Sequence, residues 1–366
     1  MVETTRNPQN PDIHESVDVL VVGGGAAGLS AAVTLARSRR SVLVVDSGEP
    51  RNAPAAGVHG FLSRDGIPPG ELLREGRAEV VRYGGRVVTD RAVTARGDSG
   101  SFLVDTASGR RYAARRLLVT TGLTDRLPDI AGLRERWGKD VLHCPYCHGW
   151  EVRDEPVGIL ATGPLTVHQA LLFRQLTSEV TVFTHTADDL ADEEWEQLAA
   201  RGIAVVDGEV VAVDAEDDRL TGVRLASGRR VPLRALAVAP RLEARDGVLT
   251  GLGLAAEEHP MGVGHHVASG PGGLTAVPGV WVAGNVTDPM AGVPVAAAAG
   301  VQAGAAVNAD LVAADTEAAL ARRRQARPAG VFTPAMEAEV GERTAAERRH
   351  GLASMSPPGP AAADRH

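Results

Sequence analysis

Cysteine is nearly absent: the chain has two in 366 residues, Cys144 and Cys147. That scarcity excludes a disulfide framework. It leaves one vicinal pair, of a kind that in a reducing compartment serves redox or metal chemistry more often than structure. Positive charge is in deficit, with 38 Lys and Arg against 46 Asp and Glu and a formal net charge of −8. The deficit argues against nucleic acid or an anionic membrane as partner, because both present phosphates. No apolar run approaches the roughly 20 residues that span a bilayer. The opening stretch, MVETTRNPQNPDIHES, is polar and has the form of neither a signal peptide nor a transit peptide. A cytoplasmic chain is expected, long enough for two domains with separate cores.

Glycine, by contrast, is placed with purpose. Residues 17–46 read VDVLVVGGGAAGLSAAVTLARSRRSVLVVD. A buried strand, a helix rich in small residues and a second apolar strand follow one another as a βαβ unit. Gly23-x-Gly25-x-x-Gly28 falls between strand and helix, where a dinucleotide fingerprint belongs. Gly23 makes the tight turn, Gly25 admits a pyrophosphate to the backbone, and Gly28 lets the helix pack close. Ala26 and Ala27 open the helix, whose N–H groups face the phosphates. Asp46 ends the second strand, where a carboxylate accepts ribose hydroxyls.

The pattern recurs. ASGRR stands at 107–111 and again at 226–230, each time after β-type residues and before an apolar strand. Residues 157–185 lie over 19–47 without a gap. The expected class is α/β, with two Rossmann-like, three-layer ββα dinucleotide-binding domains, the second inserted in the first. Residues 15–125 and 241–317 form one domain, residues 126–240 the other, and residues 318–366 an extension. In that extension PAMEAEVGERTAAERRHG suits one amphipathic helix, and SMSPPGPAAADRH suits disorder.

The second copy has lost the fingerprint. Ala161, Gly163 and Thr166 stand opposite the three glycines, and Pro164 and Leu165 opposite Ala26 and Ala27. Proline offers a phosphate no N–H. Thr184 stands opposite Asp46. Asp188, Asp189, Asp192, Glu193 and Glu194 follow, where an NADPH site needs arginines for the 2′-phosphate. NADPH binding is therefore doubtful.

The cysteines sit in HCPYCHGWE, residues 143–151. Cys-x-x-Cys-His also spells a haem attachment, but that chemistry follows export. Zinc would need four ligands from six residues, with no second cluster elsewhere, so no metal is expected. A glutaredoxin fold carries its pair near its start. Thiol–disulfide exchange beside a flavin remains. There His148 takes a proton from a thiol and, once protonated, steadies a thiolate. Tyr146 and Trp150 suit either a substrate face or core packing. His143 is left without a role.

The segments VVGGGAAGLSAA, LLVTTG, CPYCHG and GVWVAGNV, in that order, resemble the low-molecular-weight thioredoxin reductase family over residues 15–315. The resemblance implies FAD on the first copy. Thr121 and Gly122 would then pass close to it, and Arg51, Asn52 and His59 would lie near it. Gly284-Asn285 replaces the family's usual Gly-Asp at the ribityl chain. His148 in place of the usual Asp, together with the decayed second copy, resembles the dithiol oxidases that close disulfides in gliotoxin and holomycin. That branch implies a small-molecule dithiol as substrate, O2 as acceptor and hydrogen peroxide as product. Cys147 would face the flavin and Cys144 the substrate, in a homodimer. The alternatives are an NADPH- or ferredoxin-linked reductase of a thioredoxin-like protein, and a flavin-bound redox sensor.

Overall fold

The structure, a computed structural model, describes residues 13–325 apart from 99 and 188, and residues 334–347. The first half contains β1 (Glu15–Val22), α1 (Ala26–Arg37), β2 (Val42–Asp46), α2 (Pro69–Arg82), β3 (Arg86–Thr89), β4 (Ala92–Asp98), β5 (Ser101–Thr106), β6 (Arg111–Val119) and β7 (Leu123–Arg126). Next come α3 (Leu133–Arg136), β8 (Val141–Leu142), α4 (Pro145–His148), β9 (Val157–Leu160), α5 (Thr166–Phe173), β10 (Val180–Phe183), α6 (Asp192–Ala200) and β11 (Ala204–Val206). The chain goes on through β12 (Val210–Glu216), β13 (Arg219–Leu225), β14 (Arg230–Pro232), β15 (Ala235–Val238), β16 (Arg241–Ala244), β17 (Glu257–Glu258), β18 (Gly264–His266) and β19 (Val280–Val282). It ends in α7 (Val293–Gln325) and α8 (Pro334–Glu347).

Two sheets carry the repeat. The first has seven strands: β3, β2, β1 and β6 are parallel, β19 joins β6 in parallel, and β5 and β4 continue from β6 as an antiparallel meander. The second is parallel throughout, in the order β11-β10-β9-β15-β8. Its meander, β12-β13-β14, forms a sheet of its own. Parallel strands are covered on both faces, so they read as unbroken apolar runs. Val19–Val22, Val42–Val45 and Leu117–Val119 are all buried for that reason. A sheet of four strands joins the two halves: β7 and β16 pair antiparallel, with Arg126 opposite Arg241 and Leu123 opposite Ala244.

Residues up to Ala309 form one compact unit and those from Asp310 a second. By length and composition α7 could cross a membrane, but its apolarity has a packing cause. A Cβ on Gly300 would stand 2.0 Å from the Ala27 carbonyl oxygen, and one on Gly304 3.0 Å from that of Ala31. Small residues thus bring α7 and α1 into close contact. In the second unit a helix, α8, stands where one was expected, exposed over residues 334–345. The stretch SMSPPGPAAADRH lies outside the described residues.

Candidate functional site: one cleft holding a nucleotide turn and a cysteine pair

At the end of β1 the chain turns through Gly23, whose φ of +102° suits glycine alone, and a Cβ there would meet the Thr120 carbonyl oxygen at 2.4 Å. Gly28 is buried, and its Cβ would fall 1.9 Å from the Gly23 carbonyl oxygen. The fold itself requires both. Gly25 is different. It caps α1 with an ordinary φ of −78°, and a Cβ there would meet nothing within 4 Å. Its bareness leaves open space above it, at the end of α1 where the first-turn N–H groups have no partner within the helix. Asp46 takes the Gly24 N–H at 2.9 Å and the Arg77 guanidinium at 2.6 Å. The turn fits a dinucleotide pyrophosphate with a carboxylate at its ribose end.

That space is a cleft of about 1400 Å³, above the 300–1,000 Å³ usual for one small ligand. Gly23, Gly25, Ala26, Ala27 and Asp46 line one part of it. Arg51, Asn52, His59, Thr121, Gly122, Gly284 and Asn285 line another, and Cys144, Cys147 and His148 a third. Of the residues expected to hold the cofactor or to act on sulfur, Gly28 alone stays behind the wall.

Several of these side chains are already engaged. The Thr121 hydroxyl donates to the Arg245 carbonyl at 2.7 Å, and Gly122 accepts the Arg245 N–H at 3.0 Å. The Asn285 amide donates to the carbonyls of Asp288 (3.0 Å) and Ala291 (2.8 Å). No carboxylate could do this, so Asn285 ties down the 288–291 loop with its nitrogen, and its amide oxygen is an acceptor on the cleft wall. Arg51 grips Asp125 with two nitrogens, at 2.9 and 2.7 Å.

Cys144 precedes the one-turn helix α4, and Cys147 lies within it. The Cys147 thiol donates to the Cys144 sulfur at 2.7 Å. That hydrogen bond, the Cys147 and Tyr146 backbone N–H groups and the Arg51 charge bring the Cys144 thiol down to about 6, against the opposing effect of burial. Cys147 moves up, because it keeps the shared proton beside a neighbouring thiolate. Cys144 is thus the sulfur that ionises first. Burial pushes His148 below its usual range, and so does His59, while Glu151 opposes them. His148 rests as neutral imidazole, ready to accept a proton. Burial also lowers His143, whose Nδ1 lies 3.2 Å from the Val238 carbonyl. Tyr146 lines the cleft and is exposed. Trp150 is exposed too, but it stands outside the lining and stacks with the Arg153 guanidinium 4.2 Å from its ring centre. Neither aromatic belongs to the core.

The second copy's turn opens on the same cleft through Thr162, Gly163, Pro164 and Leu165. Its polar groups satisfy one another. Thr166 donates to the Gly163 carbonyl at 2.8 Å, and Thr184 donates to the Asp207 carboxylate at 2.7 Å. Asp207 adds a negative charge where an NADPH site needs positive ones. Asp192, Glu193 and Glu194 act locally. They form the first turn of α6, where acids suit the helix dipole, and Glu194 accepts the Ala191 N–H at 2.9 Å. Asp188 lies outside the described residues.

Residues 17–304 match the family model for pyridine nucleotide-disulphide oxidoreductases. The chain belongs to that family. It is 33% identical over 308 residues to thioredoxin reductase tcpT of Claviceps purpurea, covering 81% of this chain and 95% of that one. It is 31% identical over 319 residues to thioredoxin reductase sirT of Leptosphaeria maculans, covering 82% and 96%. Among solved structures it resembles HlmI, at 46% identity with a TM-score of 0.78 over 85% of this chain and 97% of that one. It also resembles an oxidoreductase from Agrobacterium tumefaciens, at 38% identity with a TM-score of 0.76 over 81% and 99%. The chain is a thioredoxin-reductase-like flavin oxidoreductase acting on sulfur groups, and FAD is the cofactor of its family. The open space over Gly25 and the Asp46 carboxylate suit that cofactor.

Reading the sequence missed Arg77 and Asp125, which reach Asp46 and Arg51 from distant segments with no local signal, and Asp65, which meets His59 within one loop. Glu151 had a signal: it follows His148 at helical i, i+3 spacing. Among the described residues no cluster of three or more His, Cys, Asp or Glu side chains is placed to hold a metal.

Proposed function

We propose that the chain is an FAD-dependent dithiol oxidase that closes a disulfide in a small-molecule dithiol, with dioxygen as the final acceptor and hydrogen peroxide as product. One observation carries the reading: a cysteine pair with one acidified sulfur shares its cleft with an intact nucleotide turn, while the second turn carries Pro164, which has no N–H for a phosphate, and Leu165. FAD would be held by the Gly23–Ala27 turn, Asp46 and the Asn285 oxygen, and when bound it supplies a two-electron acceptor that dioxygen can reoxidise.

The chain's own residues perform the sulfur chemistry. His148 takes the proton of the first substrate thiol, and the resulting thiolate attacks Cys144 of the oxidised pair. The Cys144–Cys147 bond breaks, and Cys147 takes up a proton. The second substrate thiol, deprotonated in turn, attacks the first substrate sulfur, and Cys144 leaves. A leaving thiol with a pKa of about 6 departs readily. Arg51, held by Asp125, supplies positive charge at both sulfurs. Tyr146 gives the cleft an aromatic lip for the substrate.

Roles for the other cleft residues follow the same reading: Arg51, Asn52, His59, Thr121, Gly122 and Gly284 flank the cofactor. The strand orders support a discontinuous FAD domain, 15–125 with 241–317, around an inserted domain, 126–240. A cytoplasmic homodimer is part of the proposal, checked by sedimentation of the purified protein. A second reading, reduction of a thioredoxin-like protein, draws support from the names of the relatives and from the exposed Tyr146 and Trp150 beside the pair. The test is aerobic turnover with a panel of small dithiols, measuring oxygen uptake, peroxide and the cyclic disulfide by mass spectrometry. Uptake matched by peroxide and product supports the oxidase. Turnover only of a reduced or oxidised thioredoxin would replace it with the second reading.

A further inference from the structure

A proton taken by His148 has to go somewhere. When the substrate disulfide closes, two S–H bonds break and the electron pair passes to the cysteine disulfide. Cys147 regains one proton. Cys144, with its thiol near pH 6, stays ionised at neutral pH, so one proton is left over in this half of the cycle; it is needed again when dioxygen becomes hydrogen peroxide, and a path to solvent lets it leave and return.

A file of polar groups runs outward from His148. Glu151 lies three residues on, in the turn that follows α4. His59, from the loop between β2 and α2, stands edge-on to His148, with ring centres 6.4 Å apart and planes at 80°. Its Nε2 is 3.5 Å from Glu151 Oε1, and its Nδ1 is 3.3 Å from Asp65 Oδ2. The other Asp65 oxygen accepts the Gly60 N–H at 2.8 Å, which closes the 60–65 loop on itself. Side-chain exposure is 39% at Glu151, 25% at His59 and 68% at Asp65, so the file ends in solvent at Asp65. His59 is also seated closely: a Cβ on Gly57 would come within 3.2 Å of its Nε2.

We propose that Glu151 and His59 form a proton exit for His148, with Asp65 as the outer residue that orients the His59 ring and passes the proton to water. Glu151 is exposed enough to swing between the two rings, with a water bridging the remaining gap. In the exit step the N–H bond on His148 breaks. The proton moves by way of Glu151 to His59 Nε2, while the proton on His59 Nδ1 passes through Asp65 to solvent. No electrons move. None of the three touches sulfur, so they are positioning and relay residues. The titratable groups that act on His148 are Glu151 from its own segment and His59 from the facing loop.

This inference rests on the dithiol reading, and the experiment separates the two. Holoenzyme is mixed anaerobically with dithiothreitol in weak buffer at pH 7. Flavin absorbance and a pH indicator are followed together. In the wild type, proton release keeps pace with bleaching. In Glu151→Gln and His59→Ala, release lags by about tenfold, less than the loss of a direct proton-transfer residue would cause. Added imidazole restores the His59→Ala variant, which a merely structural role would not allow. Histidine NMR gives a readout independent of turnover: Glu151→Gln lowers the His148 pKa further, because a favourable negative charge is gone. If His59→Ala does not load FAD, Glu151→Gln carries the test, since its side chain is not part of the cleft wall. Wild-type protein that dithiothreitol does not bleach would overturn the dithiol reading. Bleaching with wild-type proton release in both variants would overturn the relay alone.

Discussion

The turns at 23–28 and 161–166 sit at the same place in two like sheets, β3-β2-β1-β6 and β11-β10-β9-β15, yet they have opposite chemistry. In the first, a bare Gly25 and the N–H groups of α1 face open space. In the second, Pro164 removes a donor, Leu165 adds bulk, and Thr166 covers the Gly163 carbonyl. At the strand ends Asp46 accepts the Gly24 N–H and the Arg77 guanidinium, while Thr184 and Asp207 bond each other. Topology sets where a nucleotide could bind, and a few side chains decide whether it does. The second copy's turn lines the same cleft as the cysteine pair.

The sharpest break in this comparison lies at the sulfurs. Cys144→Ser and Cys147→Ser are each expected to abolish dithiol oxidation, by roughly a thousandfold or more in turnover, while the purified protein stays yellow. Oxygen uptake and visible absorbance check both points. The next largest effect concerns the turns themselves. Gly25→Val puts bulk into open cleft without a clash in the fold, so the protein is expected to fold with a normal melting profile and lose most of its flavin. The matching change, Gly163→Val, is also free of clashes and is expected to leave flavin content unchanged. Absorbance ratios of the two purified variants decide it.

A smaller effect is electrostatic. Alkylation of Cys144 by iodoacetamide is expected to titrate near pH 6, because only the thiolate reacts. Arg51→Met is expected to move that midpoint upward, since a positive charge that favours the thiolate is lost. Mass-resolved alkylation against pH checks the sign. The smallest effect is expected from restoring the fingerprint with Ala161→Gly, Pro164→Ala, Leu165→Ala and Thr166→Gly together. NADPH should still bleach the flavin negligibly, because Asp207 remains and no arginine follows β10. Anaerobic mixing with NADPH checks it.

Much of this was legible in the sequence. Unbroken apolar strands, glycine spacing and the repeated ASGRR fixed the architecture, because burial and backbone geometry act on residues close in sequence. The cysteine pair and His148 were legible for the same reason. The partners of those residues were not. Asp125 reaches Arg51 across 74 positions and Arg77 reaches Asp46 across 31, and no periodicity announces such contacts. Trp150 read as either substrate face or core; it is not core, and Arg153 stacks on its exposed ring. The acids at 192–194 read as a barrier to phosphate, and in the fold they begin α6.

The most direct test of electron entry through sulfur is to mix the purified flavoprotein, under nitrogen, with NADPH in one syringe and a simple dithiol in another. Fast loss of the flavin band with the dithiol alone, and its return on admitting air, is the expected result. Fast bleaching by NADPH with no response to the dithiol would contradict it.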